Sequence, residues 1–244
     1  MPFIFPPDFG FAHGLAIVLL FGFWFIYSFL LRLIGRGSLN EQLGVVRIRW
    51  LMNATSRAAK PFDAVLLGHI VNSIAFFGSA TMIVLAGVIT ALANVRAVHG
   101  VVSELYFASD SSFELFVINA AIVNTVLALS FFSFTYALRK LIYVIALVGA
   151  LPEESAKQTH VDGMVTAAAT VLTEELKTFN FGIRGYYYFI AALGLFISPY
   201  ICLALTLIVT AILFYRQLAS PTAAAIRDYV DSTDPQRPQS GGDA

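Results

Sequence analysis

From Ala64 to Val95 the chain carries no aspartate, glutamate, lysine or arginine. A surface helix of a water-soluble domain needs a charged face toward solvent, so a run of this length does not belong on one. About 20 apolar residues in helical form cross the hydrocarbon core of a bilayer. Three further stretches reach that length, at residues 11–34, 113–138 and 186–215. Four such runs predict an all-α integral membrane protein with four transmembrane helices, the second of them at residues 64–95. The composition agrees: 58% of residues are hydrophobic and 12% charged, where globular domains carry about 45–50% and about 25%.

The formal net charge is zero, which leaves no electrostatic footprint for nucleic acid or an acidic substrate. A single cysteine, Cys202, lies in an apolar run and reads as a small packing residue. It allows no intrachain disulfide, and no Cys/His cluster has metal-ligand spacing, so neither a metal nor another cofactor is expected. The N-terminal MPFIFPPDFGFAHG has no basic residue ahead of its apolar stretch. A secretory signal needs one, so the first apolar segment is read as a retained span. Pro199 falls near the middle of the fourth run and predicts a kink. About 30 residues are too few for two full spans.

Lysine and arginine set the expected orientation, because they stay on the cytoplasmic side. The connection after the first span holds Arg36, Arg47, Arg49, Arg57 and Lys60, while the next holds only Arg96. Arg139, Lys140, Lys157, Lys177 and Arg184 follow the third span. Residues 35–63 and 139–185 are therefore expected in the cytoplasm, residues 96–112 outside, and both termini outside. Arg139 and Lys140 mark the point where the third helix leaves the bilayer, with stems long enough to reach the headgroups.

The segment after them, LIYVIALVGALP at 141–152, is apolar on every face and needs cover by other protein. Residues 161–180 supply a candidate: Val161, Val165, Ala168, Leu172, Leu176 and Phe179 recur at helical spacing opposite Asp162, Thr166, Thr170, Thr173 and Lys177. Gly182 reads as the stop just past that helix. Residues 41–52 are compatible with helix or extended chain. A small cytoplasmic helical layer from residues 35–63 and 141–182 is expected, with an interfacial helix lying on the membrane as the rival picture. Residues 1–219 then form one membrane domain. The polar tail, 220–244, has the composition of a disordered segment.

Several motifs are similar to those of one family. RIRW places Arg47 three residues before Trp50. Phe76-Phe77-Gly78-Ser79-Ala80-Thr81 is a partial form of a Phe-Phe-x-Ser-Thr run. Arg139 precedes an apolar stretch that closes with Gly149-Ala150-Leu151-Pro152. Phe179, Asn180, Gly182, Arg184, Tyr186 and Tyr187 fit Phe-Asn-x-Gly-x-Arg-x-Tyr-Tyr. Over most of residues 45–220 the chain resembles the DUF599 family of bacterial and plant membrane proteins. The resemblance implies a four-span protein in a bacterial inner membrane and brings no catalytic residues.

A search for chemistry finds no phosphate-binding loop, dinucleotide fingerprint, HExxH or GxSxG motif, so no catalytic residue is assigned and no enzymatic activity is expected. The spans hold no acid or base near mid-membrane, where proton relays usually place one. Glu153-Glu154 and Glu174-Glu175 read as solvated acids beside lysines, and the sequon at Asn53 would lie in the cytoplasm. His69, Asn72, Ser73, Ser79, Gly87, Thr90 and Asn94 share one side of the second span, and Asn119, Ser130 and Ser133 one side of the third. His69, Asn72, Ser73, Asn119 and Ser130 are therefore candidates for a helix-packing seam or a polar pathway. Arg139, Lys140, Arg184 and Tyr187 are candidate membrane-interface anchors. Arg184 is also placed to bind a lipid phosphate or to pair with Glu175.

The leading expectation is a non-enzymatic accessory, scaffold or assembly component, in contact with membrane lipids and either homo-oligomeric or joined to other membrane subunits. The alternative is an oligomeric channel or small-solute pathway. A weaker third reading, a lipid-acting enzyme, rests on Asn180, Arg184 and His160.

Overall fold

The computed structural model describes residues 6–34, 39–57, 61–104, 111–152 and 161–233, apart from the Asn40 side chain. Among them every regular element is helical: α1 (Phe11–Leu33), α2 (Leu39–Ser56), α3 (Pro61–Ala93), α4 (Val95–Ser103), α5 (Phe113–Gly149), α6 (Val161–Leu193), α7 (Pro199–Leu218) and α8 (Pro221–Asp231). A single 3₁₀ turn, Gly194–Phe196, follows α6. Four helices are long and apolar enough to cross a membrane: α1, α3, α5 and the segment that begins with α7.

Contacts define two ends of the bundle. At the head, the Asp8 carboxylate accepts from the Ser112 backbone N–H and hydroxyl, each at 2.7 Å. The Asn119 amide there donates to the Leu195 carbonyl at 3.2 Å. At the base, Arg47 of α2 donates to Thr173 of α6 at 3.2 Å, and Lys140 of α5 to Thr178 at 2.9 Å. Helix α1 descends from head to base, α3 returns, α5 descends, α6 rises and α7 descends again.

This path changes the expected fourth span. Residues 186–215 are not one kinked helix. Helix α6 ends at Leu193, and α7 starts afresh with Ser198 as N-cap and Pro199 in its first turn. Proline is favoured there because its missing N–H has no helical partner to lose. The two arms close tightly: a Cβ on Gly194 would lie 2.9 Å from the Cys202 nitrogen. Across the hairpin the Tyr188 and Thr210 hydroxyls meet at 3.0 Å. The upper half of α6 therefore rises through the bundle beside α7. One consequence is that Asp8 sits at the head while Thr233 sits at the base, bonded to Arg49. Residues 1–5 and 234–244, and with them the expected side of each terminus, lie outside the described residues.

Helix α6 also does not stop at Gly182. That glycine lies inside a continuous helix of 33 residues. Helix α5 does not stop at Leu138 either; it runs through Arg139 and Lys140 to Gly149. Its 37 residues measure about 55 Å at 1.5 Å per residue, far beyond a hydrocarbon core of about 30 Å. The excess enters a helical layer at the base. Leu141 and Val144 are buried with Leu172 of α6. Leu51 of α2, now helical, packs with Val165, Ala168 and Ala169, and Val148 lies against that cluster. Val165, Ala168 and Leu172 of the apolar stripe read from the sequence of α6 are buried, and Ala169 and Glu175 are buried beside them.

The start of the tail is ordered as well. Ser220 caps α8, its hydroxyl accepting from the Ala223 N–H at 3.2 Å, and Ala223 is buried. A serine N-cap followed by proline nucleates a helix that the polar composition hides. Residues 234–244, Gly35-Arg36-Gly37, Lys60, Glu153-Glu154, Lys157 and His160 lie outside the described residues. Ser220→Ala is expected to destabilise α8 by about 1 kcal/mol. Faster amide exchange confined to residues 221–231 is the measurement, and unchanged exchange there contradicts the capping role.

Candidate functional site at the base of the bundle

The segment FNFGIRGYYY, residues 179–188, joins the base layer to the upper bundle. Each of its residue types has a local reason. Phe179 packs against Phe77 and Phe134, with ring centroids 5.7 Å apart in both pairs. Gly182 leaves room for Phe134, whose ring atoms would lie 2.7 and 2.9 Å from an added Cβ. Gly185 faces Ser130 and Trp24, and a Cβ there would collide with the Ser130 hydroxyl. Trp24 stacks on Phe181 at 4.9 Å and donates its indole N–H to the Phe181 carbonyl at 3.2 Å. Tyr186 donates to the Phe77 carbonyl at 2.9 Å and meets Thr81. The interior at this depth is filled by rings.

The sequence-derived polar set is not brought together. Asn119 and Ser130 are buried between α5 and α6, Asn119 near the head and Ser130 against Gly185. His69, Asn72 and Ser73 lie exposed on the outer side of α3. Gly78 of α3 lies beside Phe134 of α5, and Leu67 shares a cleft with Ile145. Antiparallel counting between these points puts His69 and Asn72 near the depth of Arg139–Tyr143. The Ser73 and Thr90 hydroxyls bond to carbonyls of their own helix. The five residues therefore line neither one seam nor one continuous path. Periodicity places these residues on one side of α3, and that side is exposed.

Charged groups at the base fall into three sets. Asp63 is 6% exposed; its Oδ1 accepts from the Trp50 indole and from Arg57, both at 2.7 Å. This explains Trp50 of the RIRW stretch, which ties α2 to the first turn of α3. Asp63 also borders an apolar cleft of about 360 Å³ between α3 and the end of α5, with Leu67, Val71, Ile145 and Val148 on its walls.

The second set corrects the reading of the paired acids. Glu174 is exposed and ion-paired to Lys177 at 2.7 Å, whereas Glu175 is wholly buried. Neither Glu175 oxygen has a hydrogen-bond partner. Burial pushes its carboxyl up to about 7, against the opposing pull of Arg47 and then Lys140. Burial in turn lowers the Arg47 guanidinium from its ordinary value, and Glu175 resists that shift. Glu175 therefore faces Arg47 and Lys140; the expected pairing with Arg184 is not formed.

The third set contains two of the expected anchors, Arg184 and Tyr187. Arg184 lies over the Tyr27 ring at 4.7 Å and donates to the Ser28 hydroxyl at 3.2 Å. Arg216 of α7 donates to the Tyr187 hydroxyl. Both arginines border a cavity of about 230 Å³ between α6, α7 and the start of α8. The other two anchors, Arg139 and Lys140, lie on α5, with Lys140 also over the Tyr136 ring at 4.6 Å. No group of three or more metal-ligating side chains occurs among the described residues.

The model of a family described as "Protein of unknown function, DUF599" matches residues 15–222 of this chain, from α1 to the first turn of α8. No curated protein and no solved structure matches it.

Proposed function

The chain belongs to the DUF599 family, and from that premise and the shape of its base we propose that it is a non-enzymatic accessory or assembly component of a membrane complex. The observation that carries this reading is apolar surface in the wrong place. Beyond Lys140, Ile142 is 65% and Ile145 48% exposed, and Phe62 and Val65 of α3 are also exposed. Arg139 and Lys140 set the headgroup level on α5, so lipid tails do not reach this surface. Apolar side chains exposed outside the bilayer call for a protein partner, either a second copy or another membrane subunit. The lysine and arginine bias supports a cytoplasmic base, and the family resemblance supports a bacterial inner membrane.

The pathway alternative now needs several copies to place the outer face of α3 around a pore, because His69, Asn72 and Asn119 do not converge within one chain. The test is the native mass of the protein purified in mild detergent. The wild type is expected to run as a species larger than one chain, or with a partner. Ile142→Glu with Ile145→Glu is expected to release the monomer while Tm stays unchanged. A wild type that is a monodisperse monomer without partner overturns the assembly reading.

A further inference from the structure

We infer that Arg184 and Arg216 form a binding site for a phosphate-bearing anion at the junction of α6, α7 and α8. Arg184 is half-buried, and its Nε is fully enclosed without a hydrogen-bond partner. Its other contacts are neutral: the Ser28 hydroxyl and the faces of Tyr27 and Phe181. Arg216 is likewise held by a neutral group, the Tyr187 hydroxyl and ring. Among the described residues no carboxylate pairs with either arginine. Of the nearby acids, Glu41 lies 4.0 Å from Arg32 and lines a neighbouring cavity with Arg184 without pairing with it, and Glu174 is paired to Lys177 at 2.7 Å. An arginine cannot shed its proton to relieve burial, so an enclosed guanidinium without counter-charge calls for an anion.

The geometry of the cavity fits that need. It holds about 230 Å³ and is bordered by both arginines and by Gln217, Ser220 and Thr222. Gln217 lines the same space, and a side-chain amide carries two N–H donors that can serve an anion. Ser220 and Thr222 open α8, a helix of 11 residues, so the positive end of that helix faces the same space. Two guanidinium forks beside a helix start match the planar, multidentate oxygens of a phosphate. The site lies toward the base-side ends of α1 and α7, which close at Leu33 and Leu218. Both a phospholipid headgroup and a soluble phosphate carry the chemistry required.

The experiment uses the full chain and two probes. In the first arm, native mass spectrometry reads retention of phosphatidylglycerol against phosphatidylcholine from mixed nanodiscs. In the second arm, inorganic phosphate is titrated against the detergent-purified protein and Tm is read. Arg184→Gln and Arg216→Gln are compared with wild type; Arg216 is exposed, so its replacement leaves packing intact. A preference for phosphatidylglycerol that falls about tenfold in both variants identifies a lipid headgroup. Stabilisation by inorganic phosphate that is lost in both variants, without a lipid preference, identifies a soluble phosphate. Wild-type behaviour of Arg216→Gln in both arms overturns the site.

Discussion

Trp24→Ala is expected to cost about 3 kcal/mol of stability, the low end of the range for removing a buried aromatic side chain. The indole is fully buried, stacks on Phe181 with an interplanar angle of 12°, and bonds that residue's carbonyl. The low end applies because lipid is as apolar as the bundle interior, so the loss is mainly of packing and of a hydrogen bond. Unfolding in mixed detergent, followed by circular dichroism, measures it. Gly185→Ala attacks the same contact from the other side, since its Cβ would lie 2.9 Å from Trp24 Cζ2 and 3.1 Å from Ser130 Cβ. Overpacking of this kind costs about 1–3 kcal/mol. The two substitutions share a contact and should not add: the double variant is expected to lose less than the sum by at least about 0.5 kcal/mol. Strict additivity contradicts the close packing of α1 on α6.

How much of this was legible in the chain depends on which residue is asked. Long apolar runs locate α1, α3 and the membrane part of α5, because length and polarity alone decide whether a helix suits lipid. The inward face of lower α6 was equally legible, since Val165, Ala168 and Leu172 repeat at helical spacing. Pro199 predicts a kink from sequence, whereas in the structure it opens a new helix. A proline can kink a helix or open one, and the tight approach of Gly194 to Cys202 is a long-range fact no local pattern carries. Gly182 and Gly185 were hidden for the same reason: they serve neighbours about fifty residues away in α5, not the ends of their own helix. Trp24 and Asp63 gave no periodic or motif signal that pointed to Phe181 or Trp50. Glu175 misled because its neighbour Glu174 does face solvent, and a helical step of about 100° is enough to turn one acid outward and the next into the base.

That buried acid gives the second large expected effect. The Glu175 carboxyl has no hydrogen bond and is charged only against Arg47 from α2 and Lys140 from α5. Its folded pKa, about 7, lies above the ordinary 4.5, so the folded state binds the proton more tightly than the unfolded chain. The stabilisation from that proton is present in full below about pH 4.5, falls between about 4.5 and 7, and is lost above. The difference corresponds to about 3 kcal/mol. Glu175→Gln keeps the shape and removes the ionisation. At pH 8 the variant is expected to be more stable than wild type by up to about 3 kcal/mol, and near pH 4.5 the two should converge. Melting curves of both proteins across pH 4.5–8 measure the gap. Parallel profiles for wild type and Glu175→Gln would show that Arg47 and Lys140 already hold the carboxylate charged. A gap that opens with pH instead makes the contact between α2, α5 and α6 sensitive to pH near neutrality, in the layer that presents the arginine cavity and the apolar cleft.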